Sequence, residues 1–415
     1  MCTAKIEHCT SSTVLLITGV EAKSTQPNTQ RLFSLDAYRG FAMFLMAAEM
    51  MRLSRLVKHF PDSSICRWLA FHCDHVDWTG CSLHDLIQPS FSFMVGVALP
   101  FSLASRASRG QSLAKQWFHV IYRSLILILL GVFLRSTWHD RTDWTFEDTL
   151  SQIGLGYPFL FALGMAGDRL RWASLVAILV GYWLFFVLYS PPLNWDAGLA
   201  HVPRNWSHDF SGFASHWNFN KNPAWAFDRW FMNLFPRKNE FMGNGGAYST
   251  LSFIPTLGTM VLGLIAGQWL QDRNSNAEPL RKLIIAGTIC IATGILLDKT
   301  GICPSVKKIW TPSWTLFSGG WCFLLMAAFY ALIDFKGWKK WAIPLVVIGT
   351  NSIAMYVMVY TQTVFFKKAI TTHFGRTPFR VFGDAFEQTL HGAAVLMLLW
   401  LILLWMYRRK VFLKI

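Results

Sequence analysis

The apolar residues of this chain fall into about ten blocks of 16 to 21 residues, each near the roughly 20 that cross a hydrocarbon core as a helix. Lipid offers backbone groups no partner, so such blocks must satisfy their own hydrogen bonds as helices or as a closed barrel. The period-2 alternation of an outer-membrane barrel is absent. Composition argues against a soluble protein: of 415 residues 53% are hydrophobic and 15% charged, against roughly 25% charged in ordinary soluble domains. That is too little polar surface to cover two or three domains in water. The expected fold class is all-α, a polytopic transmembrane helix bundle of about 10 spans, with 11 as the alternative.

The first five spans are expected at about Leu35 to Met51, Asp85 to Ala104, Trp117 to Leu134, Leu150 to Ala166 and Ala173 to Tyr189. The other five fall at about Thr250 to Leu270, Leu283 to Leu297, Trp314 to Ile333, Ala342 to Tyr360 and Leu390 to Trp405. Residues 1–30 are polar and read as a disordered cytoplasmic tail; Val14 to Val20 is too short and poorly flanked for a signal peptide. Residues 31–415 then form one membrane domain, with long outer loops at about 52–84 and 191–249.

The net charge is +15, yet the basic residues sit in short loops between apolar blocks. No basic helix or aromatic platform accompanies them, which argues against a nucleic-acid partner. With the N-terminus inside, about 19 Lys and Arg occupy about 75 loop residues on that side, against about 18 in about 145 on the other. Both termini are therefore expected in the cytoplasm, with the protein in a cell (inner) membrane. Nearly all of the twelve histidines fall on or near the outer side, so any chemistry should face outward. Cys66, Cys73 and Cys81 share the first outer loop and Cys303 lies in a later one; an oxidising compartment could pair them, with the connectivity open. Cys290 and Cys322 lie in spans and read as packing residues.

The densest polar cluster is FHCDHVDWTGCSLHDLIQPSFSFMVG, residues 71–96, which runs His72, Asp74, His75, Asp77, His84 and Asp85 straight into the second span. Ionisable groups at the mouth of a bundle are functional candidates by default. His75 suits a general base oriented by a nearby carboxylate; the plainer reading is a loop cluster with Asp85 capping the span. Cys73, His75, Cys81 and His84 match no standard zinc spacing, and no metal is expected. At the other mouth, SLDAYRG sets Asp36 and Arg39 three residues apart, either a structural pair or an anion site, and Arg123 enters the third span with no near carboxylate. Arg123 either meets a phosphate or snorkels to lipid headgroups. Trp195, Trp206, Trp217, Trp225 and Trp230 in the long outer loop suit either sugar rings or an interfacial belt. Asn351 and Tyr356 lie deep in an apolar run, as helix-to-helix glue or as ligand contacts.

These elements, taken in order, resemble the heparan-α-glucosaminide N-acetyltransferase family and its bacterial relatives, membrane proteins of the transmembrane acyltransferase type. SLDAYRGFAMFLM is similar to the family's opening LDxFRG element, and HVDWTGCSLHDLIQPSFSFMVGVAL to its H-x-x-W-x-G followed by an aspartate, a proline and F-x-F. The resemblance continues through the arginine of IYRSLILILLG, the FIPTLGTMVLGLIAG span, the run from Pro304 to Ser313 and GTNSIAMY, covering about residues 31–405. It implies an enzyme that takes acetyl-CoA from the cytoplasmic side and delivers the acetyl group across the bilayer to an amino sugar or other glycan acceptor. His75 matches the family's active-site histidine, with Asp77 and Asp85 beside it. Arg39, Arg123, Asp36 and Asn351 are expected on the donor, and Trp78, Glu49, Lys307 and Trp310 at the acceptor. A homodimer is left open.

The chain departs from the family pattern where the acceptor would bind. Glu49 and Met50 stand where an asparagine is usual, Gln152 replaces an arginine in SQIGLGY, and NGGAYSTLSFIP lacks an acidic residue before its proline. The alternatives from other classes are a transporter of a small glycan or amphiphile, with His75 and Asp85 as a proton relay, and an inactive membrane scaffold. No pseudo-repeat joins the two halves, which argues against the transporter.

Overall fold

The computed structural model describes residues 32–271 and 277–413. The tail expected to be disordered lies outside them. Every expected span falls on a helix, and among the described residues the only extended pairing is one isolated antiparallel bridge, Thr79 with Val306. In chain order the helices are α1 (Phe33–Ala48), α2 (Ser64–His72), α3 (Ile87–Ser108), α4 (Leu113–Ser136), α5 (Thr149–Met165), α6 (Asp168–Val187) and α7 (Pro223–Phe231). They continue with α8 (Phe253–Gln271), α9 (Ala277–Lys299), α10 (Pro312–Phe329), α11 (Ile343–Thr350), α12 (Ser352–Phe374) and α13 (Glu387–Arg408).

Seven of these, counted with their short flanking turns, are long and apolar enough to cross a membrane: α3, α4, α6, α8, α9, α10 and α13. An eighth is the pair α11 and α12, bent by 67° at Asn351. Helices α1 and α5, at 16 and 17 residues, fall just short of that length. The chain is thus an all-helical integral membrane protein with seven to eight helices of crossing length, a smaller count than the ten read from apolar blocks. The difference lies in α1, which gives way at Glu49 to a short 3-10 turn, and α5, which ends at Met165; apolar runs do not reveal where a regular α-helix stops.

The bundle is assembled from close pairs, α3 on α8, α9 on α10, α1 on α11 and α4 on α5. Small residues set the closest approaches, as expected where helices pack without a hydrophobic driving force between them. A Cβ on Gly263 of α8 would lie 1.9 Å from the Phe93 carbonyl of α3, and one on Gly349 of α11 would lie 1.9 Å from the Asp36 carbonyl of α1. The second contact holds the Asp36 turn against the break at Asn351. Facing outward, Phe118, Tyr122, Leu125, Leu129 and Phe133 of α4 are exposed at helical spacing, a surface suited to lipid rather than water.

The outer loops fold into a layer of their own. Trp78, Tyr182, Phe186, Trp217, Phe219, Val306 and Ile309 share one buried cluster that joins the first outer loop, the end of α6, the long loop and the segment before α10. Helix α7 starts within this layer with Asn222 as cap, its side chain accepting from the Trp225 amide at 3.1 Å and Pro223 in the first turn. Trp217 and Trp225 are therefore core residues here, while Trp195 carries the Lys221 ammonium 4.6 Å from its ring centre and Trp230 is exposed.

Candidate functional site

The segment between α2 and α3 descends from the outer layer and ends in a single turn, His84–Leu86, that feeds α3. Asp85 in that turn is buried, and five donors converge on it. His75 Nδ1 stands 2.8 Å and Lys307 Nζ 3.1 Å from Oδ1, while Oδ2 accepts from the Ser82 amide and hydroxyl, each at 3.0 Å, and from the Val76 amide at 3.3 Å. Every neighbour is a donor, the setting that suits an ionised carboxylate. The Thr79 to Val306 bridge explains how Lys307, 232 residues away in sequence, reaches His75: it pins the segment before α10 against the loop carrying the histidine.

Lys307 Nζ also approaches His75 Nδ1, at 3.0 Å. Burial pushes the lysine amine below its ordinary value, against the pull of Asp85. With Asp85 charged, an Nδ1 proton is held toward Oδ1, which leaves Nε2 as the basic nitrogen; among the described residues no hydrogen bond reaches Nε2. The His84 ring lies 4.5 Å from that of His75, and its Nε2 is 3.9 Å from the Glu49 carboxylate.

These groups line an outer chamber of about 170 Å³, together with Gln88, Arg135, Glu147, Asp148, Tyr248 and Tyr356 among others. A second cavity, here the inner cavity, has a volume of about 730 Å³. It is lined by Asp36, Arg39, His119 and Arg123 and by apolar side chains such as Met43, Val95, Leu99 and Leu127. Phe91, Thr149 and Tyr356 line both. Arg123 is held lightly, with Nη1 3.4 Å from the Tyr157 hydroxyl and its guanidinium 4.8 Å from that ring centre; its Nε is buried without a partner among the described residues. Arg39 pairs with Asp36 at 3.3 Å.

Of the residues singled out from sequence, His75, Asp85, Lys307 and Glu49 come together at the outer chamber, and Asp36, Arg39 and Arg123 at the inner cavity. Four stand elsewhere. Asp77 is exposed and lies 3.8 Å from His208, not beside His75. Trp78 is 1% exposed and packs against Trp206 and Phe219 inside the outer layer, so its indole offers no face to an acceptor. Trp310, in the left-handed region at φ 48°, is buried with Leu86 and Trp314 and donates to Thr259 at 3.2 Å; it supports the Asp85 turn from beneath. Asn351 donates to the Val411 carbonyl and accepts from the Leu413 amide, both at 3.0 Å, and so fixes the C-terminal segment whose Phe412 and Leu413 wall the inner cavity.

Sequence reading missed Arg135, Glu147, Asp148, Tyr248 and His119. The adjacent acids just ahead of the fourth apolar block were a usable signal, and Asp148 does cap α5, accepting from the Leu150 and Ser151 amides at 2.9 and 3.1 Å. Gln152, in place of an arginine, ties α5 to the outer layer through the Phe146 and Thr250 carbonyls at 2.8 and 3.2 Å. Cys66, Cys73, Cys81 and Cys303 are free thiols; burial pushes Cys81 up to about 12 and Cys303 to about 11. Among the described residues no three His, Cys, Asp or Glu side chains converge to hold a metal ion.

No protein-family model matches the chain. Among curated proteins it is similar to heparan-alpha-glucosaminide N-acetyltransferase of Homo sapiens, 23% identical over 367 residues that cover 79% of this chain and 52% of that protein. The Mus musculus protein of the same name is 22% identical over 383 residues, 81% of this chain and 54% of its own length. The chain thus spans about half the length of the curated relatives it matches. What the comparisons show of this chain is therefore its similarity to these two heparan-alpha-glucosaminide N-acetyltransferases.

Proposed function

We propose that this chain is a membrane acetyltransferase that accepts acetyl-CoA in the inner cavity and passes the acetyl group to an amine or hydroxyl, on an amino sugar or other glycan, in the outer chamber. The observation that carries this reading is the wall of Phe91, Thr149 and Tyr356 common to the two cavities. It supports a path that would run from the cavity lined by Arg39, His119 and Arg123 to the chamber lined by His75. The inner cavity falls within the usual range of about 300–1,000 Å³ for ligand sites. Its basic side chains suit the CoA phosphates, the unpartnered Arg123 Nε supplies a donor, and its apolar side chains suit the pantetheine arm. The basic-residue asymmetry orients this cavity, and both termini, toward the cytoplasm, in a cell membrane.

For an amine acceptor the transfer runs as follows. His75 Nε2 takes a proton from the acceptor nitrogen, which attacks the acetyl carbonyl carbon as the carbon–sulfur bond breaks. The thiolate leaves as CoA and is protonated by the imidazolium, directly or through water; the second proton of the original ammonium goes to solvent. Asp85 orients the ring and stabilises its charged form, and Lys307 balances Asp85. In a two-step variant His75 carries the acetyl group between donor and acceptor.

His75→Ala tests the reading. The variant should stay folded and bind CoA while transfer falls about 100-fold or more, the scale for a lost base; His72→Ala serves as the control. The 67° break between α11 and α12 is the one feature that favours a transporter instead. Turnover within a few-fold of wild type in His75→Ala would turn the argument that way.

A further inference from the structure

Within the outer chamber, the wall formed by the α4–α5 connection carries two adjacent carboxylates of different standing. Asp148 is committed to structure: beyond the two amides of α5 it accepts from the Ser151 hydroxyl at 2.5 Å. Glu147 accepts the Thr145 hydroxyl at 2.5 Å and an Asn244 side-chain contact, which leaves part of a carboxylate's four acceptor positions unused. Among the described residues no cation lies within ion-pair distance of Glu147, although Arg135 lines the same chamber. Arg135 opposes the Glu147 charge from a distance without contacting it, and burial still pushes the Glu147 carboxyl above its ordinary value. A cationic ligand nitrogen in the chamber would meet the unused acceptor positions directly and supply the contact that Arg135 does not make.

We infer that Glu147 is the acceptor-recognition residue of the outer chamber, receiving the ammonium of a primary-amine acceptor and selecting amines over neutral hydroxyl compounds of the same shape. This deepens the acyl-transfer reading and rests on it. His75 and Lys307 line the same chamber, so an amine docked on Glu147 enters the space that holds the base. At about 170 Å³ the chamber is small beside the roughly 300 Å³ and upward of common ligand sites, and so takes the reacting end of an acceptor rather than a long chain. Glu147 is a specificity residue in this scheme; the proton still leaves through His75.

The test measures binding of glucosamine and of glucose, as charged and neutral probes, to wild-type protein and to Glu147→Gln, in detergent with CoA present, by calorimetry. Wild type should prefer glucosamine, and the Gln variant should bind it about tenfold or more weakly while glucose is unaffected, the scale of one charge-assisted hydrogen bond. Glu147→Asp, shorter but charged, should recover part of the preference, and unchanged CoA affinity certifies the fold of each variant. Equal glucosamine affinity in wild type and Glu147→Gln, or no preference in wild type, overturns the assignment. Its failure is distinguishable from that of the underlying reading, which is judged by transfer in His75→Ala and by CoA binding alone.

Discussion

The outer chamber and the inner cavity differ fourfold in size, about 170 against 730 Å³, and differ in the opposite sense in how tightly their charged groups are held. Five donors fix Asp85, and through it His75 and Lys307. The inner cavity holds Arg123 by one long hydrogen bond and the face of a tyrosine. A reacting constellation must be rigid before substrate arrives, because reorganisation during the reaction raises the barrier. A binding cavity for a long flexible donor needs room, and cations that can turn to meet phosphate. On the proposed function the contrast divides the labour, with donor affinity assigned to the inner cavity, chemistry to the outer chamber, and Phe91, Thr149 and Tyr356 common to both.

Breaking the rigid side should produce the largest effect. Asp85→Asn removes the charge that Lys307 faces and weakens the hold on His75, at an expected cost of about 3–5 kcal/mol in stability together with loss of transfer. Thermal unfolding in detergent checks the first part. Combining it with Lys307→Met should cost less than the sum of the single changes, because the two groups share one interaction. A cost below about 1 kcal/mol for Asp85→Asn would mean that the hub is not held as its hydrogen bonds imply. The looser side should respond more modestly and in a different quantity. Arg123→Ala should weaken CoA binding by about 1.5–3 kcal/mol, with Arg123→Lys restoring only part because it lacks the planar fork. Unchanged CoA affinity in Arg123→Ala would remove the phosphate contact and with it the division drawn above.

Much of this was legible in the sequence, and the rest was not, for identifiable reasons. Helix positions follow from apolar block length, a property each segment carries by itself. The pairing of His75 with Asp85 is local, ten residues apart, and a motif announces it. Lys307 joins them only because a bridge at Thr79 and Val306 ties distant loops together, which no periodicity encodes. Trp78 shows the converse failure: it stands three residues from His75, yet a loop has no fixed side-chain period, and the indole turns into the outer core. For Asn351, the apolar run around it shows that the amide needs a partner, whether another helix or a ligand. The sequence could not say that the partner is the chain's own C-terminal backbone.

The smallest expected effect tests whether the outer layer behaves as a structure separate from both cavities. Asp228 on α7 lines neither of them; its Oδ2 accepts from the Thr250 amide at 2.9 Å, and its Oδ1 is buried without a partner among the described residues. Burial pushes its carboxyl up to about 7, offset in part by Thr250 and raised further by Glu147. With the folded value above the unfolded one, the folded state holds the extra proton between about pH 4 and pH 7. The stability this group contributes is therefore complete below about pH 4 and lost as pH rises through about 7. Wild-type protein should show a melting temperature that declines across this window, and Asp228→Asn, which imitates the protonated form, should flatten the decline. Melting curves in detergent at pH 5, 6.5 and 8 provide the comparison. A slope unchanged in Asp228→Asn would place the pH response in Glu147 and the outer chamber instead, and the layer and the chamber would then have to be treated as one titrating unit.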